Sequence, residues 1–285
     1  MITLFSRVTA VCALSTALAA CGTDRPPQPP APPPVSAPPS RPPTLAPGPA
    51  GLTPVFEHGP RTRGRTVALT FDADMTAGQG ARAAAGERFD HPRLISALRA
   101  LKVPATVFMT GRWAEQYPDQ ARSIGRDPLF EIANHSYSHY AYTPDCYGLP
   151  TVPEGRMRSD VERAYAAFRK AGVVDPMPYF RFPGGCYDRR ALKALTPAGV
   201  TAVQWDVVGG DAFESDPDVV ARQVLDGVRP GSVVVLHCTR SAAPATERAV
   251  RAIVPELRRE GYRFVKVSEL IGAADSGART RPEAR

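Results

Sequence analysis

Thr66-Val67-Ala68-Leu69-Thr70-Phe71 runs directly into Asp72-Ala73-Asp74. The first six residues are mostly apolar or β-branched and read as a strand, closed by two carboxylates. Working outward, the same kind of run recurs at Ala105–Met109, Phe130–Ala133, Tyr179–Phe182, Thr201–Val207, Ser232–Leu236 and Arg263–Val267. Between these runs lie Pro92–Leu101, Ser159–Ala171, Asp216–Leu225 and Ala245–Glu260, where apolar residues recur at three and four spacing. Strands alternating with amphipathic helices predict a parallel α/β architecture. The polar residues cluster just past the strand runs: His135 and His139, Gly184, Asp211 and His237. A parallel barrel places all such ends on one face, where residues distant in sequence converge.

The flanks have a different character. Arg7 precedes the apolar run Val8–Ala20, which is short for a membrane span and patterned as an export signal. It ends Leu18-Ala19-Ala20-Cys21-Gly22, a lipobox-like junction that predicts a lipid on Cys21. An ordinary cleaved signal is the alternative. Gly22–Pro60 holds nearly half of the 31 prolines and favours extended polyproline II. At about 3.1 Å per residue it reaches on the order of 100 Å, enough for an anchored domain to work away from the membrane. The expected division is a leader over 1–20, a Pro-rich linker over 21–64, a folded domain over 65–272 and a disordered tail over 273–285. The chain is thus expected to be exported, anchored at the membrane and monomeric.

Composition narrows the function. A hydrophobic share of 43% excludes a wholly disordered chain. No second apolar run is long enough to span a bilayer, which excludes a multi-pass protein. The net charge of +7 comes mostly from arginines in the leader, linker and tail, so the folded region carries no nucleic-acid footprint.

The chemistry starts from Asn134-His135-Ser136-Tyr137-Ser138-His139. Histidines four apart lie on one face of a helical turn and can share a metal. Strand alternation puts Asp72 and Asp74 on one side. A carboxylate with two imidazoles makes a three-ligand site that leaves positions open for water and substrate. In Phe180-Arg181-Phe182-Pro183-Gly184-Gly185, the arginine can hold a carboxylate ionised, and a glycine N–H can approach an oxyanion. His237, ending an apolar strand, suits a general acid.

Together these residues resemble the polysaccharide deacetylases, the NodB-homology group also called carbohydrate esterase family four. The resemblance spans about residues 65–271, with five motif regions in order. His135-Ser136-Tyr137-Ser138-His139 and Leu236-His237 are the nearest matches. It implies a distorted (β/α) barrel, one divalent metal, usually Zn²⁺, and removal of acetyl groups from a sugar polymer. By position, Asp72 would be the general base, oriented by Arg181. His135, His139 and an aspartate of the first motif would hold the metal. Gly184 N–H would hold the oxyanion, and Leu236 would line the acetyl pocket. His237 would protonate the leaving amine, tuned by Asp211, with Asp206 the weaker choice for that partner.

Two departures stand out. Ala73 occupies the position where the family carries a second adjacent aspartate, so either Asp74 supplies the ligand or two histidines and water do. Ala212 then Phe213 follow Asp211, where an aromatic residue normally comes directly. An N-deacetylase on cell-wall glycan, peptidoglycan before chitin-like polymers, is the leading expectation. An O-acetyl esterase and a non-catalytic wall-binding lipoprotein are the alternatives. Of the cysteines outside the leader and lipid site, Cys146 and Cys186 fall in loops on the active face and are expected to pair, leaving Cys238 free.

Overall fold

The computed structural model describes residues 41–279. The leader, Cys21, most of the Pro-rich segment and the residues after 279 lie outside them. Among the described residues no helix is long and apolar enough to cross a membrane.

The strands are β1 (Val55–Phe56), β2 (Thr66–Ala73), β3 (Ala105–Met109), β4 (Phe130–Asn134), β5 (Tyr179–Phe180), β6 (Thr201–Val203), β7 (Val207–Val208), β8 (Ser232–His237) and β9 (Arg263–Phe264). They form one sheet in the order β1-β6-β5-β4-β3-β2-β8-β7, with β9 also on β2. Every strand pairing in it is parallel. The sheet curls into the distorted (β/α) barrel expected from the sequence. An isolated antiparallel bridge from His58 to Ser232 links the chain after β1 to the start of β8.

The helices are α1 (Gln79–Ala84), α2 (Pro92–Ala100), α3 (Gly111–Gln116), α4 (Pro118–Gly125), α5 (Met157–Ala171), α6 (Arg189–Leu195), α7 (Pro217–Gly227), α8 (Thr246–Arg259) and α9 (Val267–Arg279). Local chemistry sets several of their ends. Proline fits the first turn of α2 and α7, where no intrahelical donor is needed. Asp216 caps α7 by accepting from Asp218 N–H, and Gly172, at φ 81°, closes α5 in the left-handed conformation.

Strand alternation sorts the core into two layers. Val67, Leu69, Phe71 and Ala73 of β2 pack with Val234 and Leu236 of β8 and the apolar faces of α2, α7 and α8. Ala68, Phe108, Ala133, Tyr179, Val203 and Val233 form a second cluster, and Phe180, Phe182 and Ala202 pack with Val161 of α5 and Leu195 of α6 in a third. Asp72 falls in register with His237 on the neighbouring strand. Both therefore emerge where the parallel strands end.

Several expectations need correction. Residues 41–64 do not behave as linker. Phe56 and Thr53 are buried, β1 pairs with β6, and Tyr179 Oη donates to Pro43 O at 2.8 Å. Prolines conceal this segment in the sequence, because the strand within it is only two residues long. The expected tail helps form α9, where Leu270 and Ile271 are buried, so helix replaces disorder through residue 279. The expected strand Thr201–Val207 breaks at Gln204–Asp206 into β6 and β7, which lie toward opposite ends of the strand order. Val267 starts a helix instead of ending a strand.

Candidate active site

The residues after β4 build the first half of the site. His135 and His139 do not share a helical turn. They sit in a loop in which Ser136 and His139 have φ of 70° and 55°. Side chains and neighbouring strands satisfy its backbone: Ser136 N–H donates to Asn134 Oδ1, Tyr137 N–H to Asp160, His139 N–H to Ser136 Oγ, and His135 N–H to Met109 O. The loop still brings the two rings to a centroid separation of 4.9 Å. The spacing implied a helical turn, whereas a loop brings the two rings together.

The end of β2 supplies the facing carboxylates. Asp72 Oδ2 lies 3.6 Å from His135 Nε2, and Asp74 Oδ2 lies 3.4 Å from His139 Nε2. Asp74 thus reaches the imidazole pair from just beyond the strand, past Ala73. Burial would raise its pKa, but His139, His237, the Thr239 hydroxyl and His135 outweigh it and hold the carboxyl below its ordinary value. Thr239 engages Asp74 twice: its hydroxyl donates to Oδ1 and accepts from Asp74 N–H.

Arg181 is fully buried beneath Asp72. Its Nη1 donates to Asp72 Oδ1 at 2.7 Å, its Nε to Val203 O and its Nη2 to Gln204 O. The guanidinium lies 3.9 Å from the Phe108 ring centroid. One Asp72 oxygen is therefore committed to Arg181 while the other faces His135.

His237 and Asp211 form a second unit. His237 Nδ1 donates to Asp211 Oδ1 at 2.9 Å, and His237 N–H donates to Oδ2 at 2.8 Å. Thr246 Oγ1 adds a third donor to the carboxylate at 2.6 Å. Burial works against a charged ring, yet the Asp211 bond and charge, with Asp72 and Asp74 nearby, raise the His237 pKa to about 9. Asp206 sits apart from this unit and ties Arg61, Ser232 Oγ and Val233 N–H together.

Gly184 has φ 66°, and a Cβ there would come within 2.6 Å of Cys146 Sγ. Cys146 and Cys186 form the expected disulfide, and Cys238 is free and buried. Leu236 is a correction. It is fully buried in the helix-side cluster with Phe71, on the opposite face of β8 from His237. Thr239 and Thr246 went unnoticed in the sequence, where a threonine beside a histidine or opening a helix carries no distinctive signal.

The donor set suits a divalent cation. His135 Nδ1 lies 3.0 Å from Arg181 O, and a carbonyl can only accept, so Nδ1 carries the proton and Nε2 is left as a donor atom for a metal. Burial pushes the His135 pKa down to about 4, which keeps the ring neutral. Among the described residues, however, no three His, Cys, Asp or Glu side chains converge as a ready metal cage. The two imidazole–carboxylate pairs stand side by side instead.

A family model described as polysaccharide deacetylase matches residues 59–203, just over half of the sequence. This chain belongs to the polysaccharide deacetylase family. The match ends before Asp211 and His237, which the fold itself brings to Asp72. A peptidoglycan-N-acetylglucosamine deacetylase of Bacillus cereus is 30% identical over 182 residues, covering 63% of this chain and 81% of that one. A chitooligosaccharide deacetylase of Bradyrhizobium is 28% identical over 217 residues, covering 72% and 90%. A solved peptidoglycan N-acetylglucosamine deacetylase aligns with a TM-score of 0.63 at 26% identity, over 76% of this polysaccharide deacetylase and 92% of its own chain. A family 4 carbohydrate-esterase pseudoenzyme of Bacillus anthracis gives the same TM-score at 22% identity, over 80% and 70%, which bears on fold alone. Enzymes of this family are generally metal-dependent.

Proposed function

We propose that this polysaccharide deacetylase removes N-acetyl groups from cell-wall glycan, with peptidoglycan the favoured polymer. The observation that carries the reading is the pairing of Asp72 with Arg181 beside His237 with Asp211, with Asp72 and His237 on adjacent strand ends and the imidazoles of His135 and His139 next to them. Such a pair of differently tuned groups separates a proton acceptor from a proton donor. The names of the relatives support the choice of wall glycan.

His135, His139 and Asp74 would hold one divalent cation, for which Zn²⁺ suits the nitrogen and carboxylate donors. When bound, the cation supplies Lewis acidity to the acetyl carbonyl and makes a water easier to ionise. Asp72, with Oδ1 held by Arg181, takes the water's proton on Oδ2. His237 keeps one proton on Nδ1, donated to Asp211, and in its cationic form holds a second on Nε2, which it delivers to the departing nitrogen. Gly184 N–H serves as the donor to the developing oxyanion. Acetate leaves and the polymer keeps a free amine.

The anchoring reading rests on residues outside the described part. Export, cleavage before Cys21 and lipidation of that cysteine would place the domain at the wall. Acetate release from N-acetylated and O-acetylated wall glycan, measured side by side with metal analysis of the purified chain, tests the proposal. Release from the N-acetyl polymer, dependent on bound metal, is expected. Turnover of O-acetyl substrates alone would replace it with the esterase reading, and no turnover with metal bound would favour a non-catalytic wall-binding protein.

A further inference from the structure

Charge is sorted between the two ends of the barrel. Asp72, Asp74 and Asp211 gather at the end where the strands finish. The end where the strands start is rimmed with cations to which the proposed reaction gives no role. Arg63 and Arg65 lead into β2, Lys102 into β3, Arg126 into β4 and Arg229 into β8, and all are exposed.

The partners of these cations are main-chain carbonyls or none. Arg65 Nη1 donates to Glu260 O at 2.9 Å at the close of α8, and Arg229 Nη1 to Asp226 O at 2.9 Å in the last turn of α7. Arg258 Nη2 donates to Leu101 O at 2.7 Å just after α2, and Lys266 Nζ to Pro128 O at 3.3 Å. A carbonyl at a helix end satisfies a donor but offsets only about half a unit charge. No ion pair among the described residues includes Arg63, Lys102 or Arg126. The acids of this end are mostly engaged: Asp127 pairs with Arg99, Glu256 with Arg259 and Glu269 with Arg263. Asp175, Asp226 and Glu260 remain, and the cations around them outnumber them.

The chain also arrives at this end. Tyr179, which opens β5, donates from Oη to Pro43 O at 2.8 Å, and Thr201, which opens β6, accepts at Oγ1 from Leu45 N–H at 3.2 Å. Whatever precedes residue 41, including the apolar run Val8–Ala20, therefore joins the domain beside the cationic rim. Unneutralised cations next to the attachment of an apolar leader complement the negative headgroups of a bilayer.

The geometry points to the strand-start end of the barrel as a docking surface for anionic phospholipid headgroups, which turns the cleft away from the bilayer. The surface is argued from charge and chain entry and goes beyond the proposed reaction. The choice of lipid rests on the proposed anchoring.

The test is amide hydrogen exchange of the full chain reconstituted into vesicles of phosphatidylcholine alone, or mixed equally with phosphatidylglycerol. Residues 61–66 and 100–104 should exchange about tenfold more slowly on the anionic vesicles, and high salt should erase the difference. R63E/K102E should lose the slowing. R156E/R248E, which reverses two exposed arginines at the cleft end, should keep it. All four side chains are exposed, so thermal midpoints should match the parent's. Equal exchange of these segments on both vesicles overturns the proposal. Slowing that R156E/R248E abolishes and R63E/K102E does not would also overturn it, because the cleft end would then face the lipid. Slowing by soluble polyphosphate on neutral vesicles, with none from phosphatidylglycerol, would replace the bilayer with an anionic wall polymer.

Discussion

Arg181 Nη1 meets Asp72 Oδ1 at 2.7 Å with the guanidinium wholly removed from solvent. The two charges are buried together, and Arg181 also donates to the Val203 and Gln204 carbonyls. Arg181→Met strands a buried carboxylate and should lower stability by about 3–5 kcal/mol in urea denaturation. Asp72→Asn keeps the shape but removes the proton acceptor. Its acetate release should fall by about a hundredfold or more with the circular dichroism spectrum retained. Parent-like turnover would remove Asp72 from its assigned role.

The His237–Asp211 contact sets a pH window. In the metal-free protein, the His237 ring should titrate near pH 9 by proton NMR, against an ordinary value of 6.5. A raised folded pKa means that the pair stabilises the fold fully below about pH 6.5 and that this contribution is lost as pH rises through about 9. Asp211→Asn should bring the titration back toward the ordinary value. It should also flatten the decline in stability between those limits. An unchanged midpoint in the variant would contradict the assignment.

Asp74 is the proposed carboxylate ligand, and Thr239 fixes it from both its backbone and its side chain. Asp74→Ala should cut bound metal sharply in elemental analysis after dialysis. Thr239→Val should weaken metal affinity by about tenfold to a hundredfold, because the ligand loses its orienting partner. Full metal retention by Asp74→Ala would leave two histidines and water as the ligand set.

Gly184 combines a left-handed backbone with a close sulfur neighbour. Gly184→Ala should lower stability by about 1–2 kcal/mol from the backbone alone, and by more where Cys146 cannot yield. Thermal unfolding under oxidising conditions measures this. A loss confined to that backbone cost would mean that the bridge shifts freely, and a variant as stable as the parent would contradict the left-handed strain itself.

Much of this arrangement was legible because parallel strands bring their ends together. Once Thr66–Phe71 and Ser232–Leu236 read as parallel strands, Asp72 and His237 fell on one face, while their adjacency in register comes from the strand order of the structure. Other features escaped for physical reasons. The strand Val55–Phe56 is too short to show alternation and sits among prolines. The histidine pair obeys a helical spacing but is set by side-chain bonds to a loop backbone, which spacing cannot convey. Leu236 matched a motif position, yet alternation along β8 turned it toward the helices. Thr239 and Thr246 act only through the carboxylates that they touch, so nothing in their own surroundings in sequence marks them.

The clasp of residues 43–56 on β5 and β6 carries a mechanical consequence. Any tension arriving from the upstream chain would first load the bonds of Pro43 to Tyr179 and of Leu45 to Thr201. Beyond these it would reach Gln204 N–H, which donates to Phe56 O, and Gln204 O receives Arg181 Nη2. A pull along this segment would therefore act on the very residue that seats the arginine, one side chain away from Asp72.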